Sequence, residues 1–93
     1  MNVDNLRKLI DSIDDKILKL LNDRAETSKK IGKIKKKEGQ GIYAPHREKE
    51  VLERLKAVNK GPLTLAAIEA IYREIMSSSI SLEKEVRIAY LGP

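Results

Sequence analysis

The run from Asp4 to about Lys37 limits what this chain can become more than any other stretch. Leu6, Leu9, Ile10, Ile13, Ile17, Leu20, Leu21, Ile31 and Ile34 recur at spacings of three and four, the period of a helix with one apolar face. No proline interrupts them, and the single glycine, Gly32, weakens a helix without ending it. Asp4 is placed to cap the start, and Gly39 and Gly41 to supply the stop. With a rise of about 1.5 Å per residue, such a helix is about 50 Å long. A compact domain of this chain length is only about 30 Å across. The helix outruns its own globule. Apolar residues near both of its ends favour a second chain over a bare protrusion.

Beyond it, residues 38–44 (EGQGIYA) read as a loop whose Ile42–Tyr43 pair folds back onto the core. Pro45 suits the first turn of a second helix running to about Asn59, with Val51, Leu52, Leu55 and Val58 as its apolar stripe. Lys60–Gly61–Pro62 breaks it. Thr64 is the expected N-cap of a third helix from about Leu65 to Lys84, whose inner face holds Ile68, Ile71, Tyr72, Ile75, Met76 and Ile80. The fold class is therefore all-α: three helices, long–short–long. Val86 to Leu91 departs from this pattern by alternating β-branched and aromatic residues before Gly92–Pro93. It reads as the first strand of something further, and one strand makes no sheet. A loosely docked or disordered tail is expected there.

The net charge of +5 and pI near 9.5 raise the question of nucleic acid. Much of the excess sits at Lys29, Lys30, Lys33, Lys35, Lys36 and Lys37, where cations also suit the negative end of a helix dipole. The three tyrosines are scattered, so no stacking platform accompanies the charge. The plainer reading is a solvated helix end, with one or two of these lysines left to meet a small anion. The chain has no cysteine, which excludes a disulfide framework and cysteine-based zinc sites. No apolar stretch spans a membrane, and the start lacks the apolar core of a signal peptide. A soluble cytoplasmic protein is expected.

Arg24, Ser28, Ile31 and Lys35 follow one another at four, three and four residues and so share one stripe of the long helix. Arg24 and Lys35 lie about 16 Å apart along the axis, near enough for both side chains to lean toward one small anion. Arg7 is about 25 Å from Arg24 and about 40 Å from Lys35, so it joins the same site only from another chain. Arg47 and Glu48 open the second helix, and Ser79 and Glu83 share a face late on the third. Taken singly, each reads as a solvated charge or a packing serine. His46 has no nucleophile or ligand cluster around it in sequence and reads as a surface residue.

The order of these elements is more specific than any one of them. An arginine near the start of a long first helix, then R-x₁₀-K, then R-E at the second helix and S-x₃-[QE] late on the third resembles the AroQ-type chorismate mutases. Here those positions are Arg7, Arg24 with Lys35, Arg47 with Glu48, and Ser79 with Glu83. The segments from Ile42 to Leu55 and from Tyr72 to Ser77 add to the likeness, which covers residues 4–84. V-R-I-A-Y-L-G-P at 86–93 is similar to the opening of a prephenate dehydratase domain, which follows the mutase in bifunctional enzymes of phenylalanine biosynthesis. That resemblance divides the chain into a mutase domain, 1–85, and the truncated start of a second domain, 86–93.

What the resemblance implies is an intertwined helical homodimer that rearranges chorismate to prephenate with no cofactor, metal or nucleophile. Arg24 and the partner copy's arginine at position 7 would clamp substrate carboxylates. Lys35 would reach the ether oxygen and one carboxylate. Glu48 would accept from the ring hydroxyl, helped by main chain at Ala44, where the family often has Asp. Arg47 would support a carboxylate and Ser79 would bond one. Glu83 stands where the family commonly has Gln, so it would have to carry a proton to act as a donor. Two other readings remain at this point. One is a basic helical module that binds nucleic acid or a partner helix; the other is a mutase-like domain kept for regulation or dimerisation.

Overall fold

Asn2, rather than Asp4, starts the first helix. Its side-chain oxygen accepts the Asn5 N–H at 2.8 Å, and Asp4 falls in the first turn, where its charge suits the helix dipole. The computed structural model describes the backbone of residues 2–39, 41 and 44–91, and side chains within that set as far as Lys84. Over these residues the chain forms three helices: α1 (Val3–Lys37), α2 (Pro45–Val58) and α3 (Leu65–Leu91). Among the described residues there is no strand, so the all-α expectation holds.

The local signals explain the boundaries. α1 ends because Gly39 turns to a positive φ of 74°, a conformation that favours glycine, while the Glu38 and Gly39 N–H groups close on Ile34 and Lys36 carbonyls. Pro45 occupies the first turn of α2. The Asn59 side chain fastens the α2–α3 turn by accepting from Gly61 N–H and donating to the Leu63 carbonyl. Thr64 caps α3, its hydroxyl accepting the Ala67 N–H at 3.1 Å.

Two expectations change. α3 does not stop at Lys84 but continues through Leu91, so Val86–Leu91 is helical and not a strand. Among the described residues the alternating pattern has no partner edge to pair with, whereas a helix satisfies backbone N–H groups within the segment, and no glycine or proline intervenes between Leu65 and Leu91. Ile71, placed on the inner face of α3, is exposed. The Ile42–Tyr43 pair and Gly92–Pro93 lie outside the described residues.

α3 packs along α1 and also receives α2. Val51, Ile68 and Met76 form the small buried core. Val51 and Met76 line a cavity with the C-terminal half of α1, whereas every residue from 2 to 23 is exposed. Val3, Leu6, Leu9, Ile10, Ile13 and Ile17 are therefore uncovered, and Leu20 is 65% exposed. The molecule is 55 × 28 × 15 Å with a radius of gyration of 16.6 Å, well above the ~12 Å of a compact chain of this length. Half of its longest helix has no core.

Candidate active site

The covered half of α1 forms one wall of a cavity of about 510 Å³. α1 contributes Arg24, Thr27, Ser28, Ile31 and Lys35; Ala44 and the first turns of α2 contribute Arg47, Glu48 and Val51; α3 contributes Met76, Ser79, Ile80 and Glu83. Every candidate taken from the sequence converges there except Arg7. The cavity has an apolar floor (Ile31, Val51, Met76, Ile80) and a rim carrying both signs of charge, the ordinary build of a site for a small polar ligand.

Arg7 lies in the uncovered part of α1. Its side chain is 75% exposed, with only Asp4, one turn earlier, at 4.0 Å. The rigid helix between them keeps it about 25 Å from Arg24. No local rearrangement of one chain brings the two together.

Arg24 is held rather than merely present. Its Nη1 donates to Ser79 Oγ at 2.6 Å, and Ser79 Oγ donates in turn to the Ile75 carbonyl at 3.0 Å. This relay across α1 and α3 fixes the guanidinium over the cavity. It also shows that the Ser79 hydroxyl, assigned above to a ligand carboxylate, orients Arg24 as it stands. The Ala44 carbonyl accepts the Glu48 N–H at 3.1 Å and so anchors the turn that carries Glu48 to the rim.

Glu83 is the unusual group. It is only 7% exposed, and burial pushes its carboxyl above the ordinary carboxylate range, while Lys35 and then Arg24 pull it back. Desolvation wins. The site thus pairs two cations with a carboxyl biased toward its protonated form, which can donate a hydrogen bond where a carboxylate cannot. Among the described residues, no group of His, Cys, Asp and Glu is arranged to hold a metal ion.

Sequence reasoning missed Thr27 and the role of Gly32. Thr27 lies three residues after Arg24 and four before Ile31, a spacing that places it beside the stripe already singled out. Gly32 stands with Ser28 as one of the two buried residues of α1, also four apart.

The sequence matches the family model of type II chorismate mutase over residues 6–84. This chain belongs to the type II chorismate mutases. The bifunctional chorismate mutase/prephenate dehydratase of Aquifex aeolicus is 49% identical over 92 residues, covering 95% of this chain and 25% of that protein. The chain spans about a quarter of the length of the curated relatives it matches first. Solved chorismate mutase structures agree in fold. The Thermus thermophilus enzyme (form II) superposes with a TM-score of 0.87 at 35% identity, covering 88% of this chain and 93% of that one. The Helicobacter pylori enzyme in complex with prephenate gives 0.84 at 32% identity, covering 90% and 91%. No helix among the described residues is long and apolar enough to cross a membrane.

Proposed function

We propose that this chain catalyses the intramolecular rearrangement of chorismate to prephenate, in a site that two copies of the chain complete together. The observation that carries the reading is the convergence of Arg24, Lys35 and a buried Glu83 on one cavity. Chorismate is a dianion whose ether carbon–oxygen bond lengthens as a new carbon–carbon bond forms within the same molecule. The catalyst needs to hold the reactive conformer and to meet negative charge growing on the ether oxygen. Arg24, preset by Ser79, clamps one carboxylate through its planar fork. Lys35 from α1 and the protonated Glu83 from α3 both donate to the ether oxygen. Glu48 accepts from the ring hydroxyl, and Arg47 adds positive potential at the rim.

One carboxylate still lacks an arginine, and the uncovered half of α1 offers one. A second copy laid along that apolar face would cover Leu6, Leu9, Ile13 and Ile17 and bring its own arginine from position 7 to this cavity. We read residues 1–85 as the mutase domain and 86–93 as the start of a second, prephenate dehydratase-like domain. The names of the longer relatives and the V-R-I-A-Y-L-G-P segment support that division. The cysteine-free composition suits a reducing compartment, and we place the reaction in the cytoplasm.

The test is loss of chorismate absorbance with prephenate as product. Replacing Lys30, Lys33 and Lys37 together by Gln should keep most of the turnover, because all three are exposed and none lines the cavity. Lys35→Ala alone should cost about 10²-fold or more, as expected for one oriented donor. If chorismate is untouched while duplex DNA binds with a steep salt dependence, the basic-module reading replaces this one.

A further inference from the structure

Where α1 packs against Glu83 of α3, it presents a residue with no side chain. A Cβ built on Gly32 would stand 3.1 Å from Glu83 Cα, 3.2 Å from its Cβ and 3.3 Å from its Cγ. All three are tighter than about nine in ten real contacts of a Cβ, and the nearest belongs to backbone, which cannot swing aside like a side-chain tip. Gly32 is also buried, inside a 35-residue helix and five residues before its last, where glycine is the poorer choice for helix stability. The local cost is borne at the one place where the helix meets the carboxyl-bearing residue of the site.

We infer that Gly32 is a positioning residue: by letting α1 close onto the Glu83 backbone, it seals the carboxyl from water and sets its reach into the cavity. This rests on the reading of Glu83 as a protonated donor. The groups facing Glu83 are Lys35 and Arg24 on α1, and Arg47 and Glu48 across the cavity on α2. The two α1 cations favour its charged form, so it is burial, to which the contact with α1 contributes, that pushes the carboxyl up. Opening that contact by a few tenths of an ångström admits water without removing any charge. The carboxyl then returns toward its ordinary range, and it sits farther from the atom it serves.

The experiment compares pH–rate profiles of wild type, Gly32→Ala, Glu83→Gln and the double variant, with helix content checked by circular dichroism. Gly32→Ala should move the alkaline fall in turnover to lower pH. It should also reduce kcat at neutral pH on the order of tenfold, since a misplacement of ~1 Å can cost about 10²-fold. In the Glu83→Gln background the same change should leave the profile flat, because an amide has no proton to lose. Should Gly32→Ala be poorly folded, the comparison is repeated in a Gly61→Ala background. There the added Cβ meets only Asn59 Oδ1 at 3.9 Å, and the loss of glycine freedom in the unfolded chain stabilises. A wild-type profile in folded Gly32→Ala, with Glu83→Gln flattening the fall, overturns the role of Gly32 alone. A Glu83→Gln profile identical to wild type overturns both readings. Failure to fold even in the stabilised background makes Gly32 a requirement of the fold and overturns its positioning role.

Discussion

Mixed dimers of Arg7→Ala and Lys35→Ala chains are expected to recover activity that neither variant has alone. Each homodimer lacks one cation in both of its sites and should fall about 10²-fold or more. In a mixed dimer, the chain that keeps Lys35 receives the arginine at position 7 from the chain that keeps it, so one of two sites is whole. The other site lacks both. With random assortment half the dimers are mixed, and activity per chain should return to about a quarter of wild type. The physical ground is the stiffness of α1. Sixteen residues of continuous helix separate Arg7 from Arg24, and every residue from 2 to 23 is exposed. Unfolding the two variants together and refolding them supplies the mixture, and mass spectrometry of the intact dimers confirms it. Mixed dimers that stay inactive would show that position 7 does not serve the partner's cavity.

Replacing Glu83 separates its shape from its proton. Glu83→Ala should lose about 10²-fold or more across the pH range, because the proposed mechanism takes its donor to the ether oxygen from that side chain. Glu83→Gln keeps a donor of the same length and should retain turnover while abolishing the fall expected of wild type as pH rises. The same pair predicts a stability effect of definite sign. Burial holds the Glu83 carboxyl higher in the folded chain than in the unfolded one, against the pull of Lys35 and Arg24. The resulting stabilisation is complete at pH values below the unfolded-chain pKa and is lost as pH rises through the folded value. Glu83→Gln should therefore melt at a higher temperature than wild type at pH 8, and the difference should shrink toward pH ~4, the ordinary range for a carboxyl. A wild type that melts higher at pH 8 would mean that the cations, rather than desolvation, govern this carboxyl.

What could be read from sequence depended on whether neighbours along the chain or across it decided the matter. The stripe from Arg24 to Lys35 was legible because helical spacing alone fixes which side chains share a face, and the cavity contains all four of its members. Glu48, Ser79 and Glu83 were weak singly and were found through the order of the whole set. The N-cap was misplaced by two residues, since Asn2 and Asp4 are both good caps and only geometry shows Asn2 reaching the Asn5 N–H. Val86–Leu91 was misjudged because alternation is a strand signal only when another strand is there to pair with. Gly32 looked like a defect in α1. Its use emerges only when α3 lies against it, and packing between distant segments has no local signature.

Whether one chain suffices is settled most directly by following turnover per chain on dilution, with the mass of the species in solution measured at each concentration. If two copies complete each site, activity per chain falls in step with the fraction of dimer, and adding the inactive Lys35→Ala chain at low concentration raises the turnover of wild-type chains by supplying an intact Arg7. Full activity from a species with the mass of a single chain of 10.5 kDa would contradict the shared site outright.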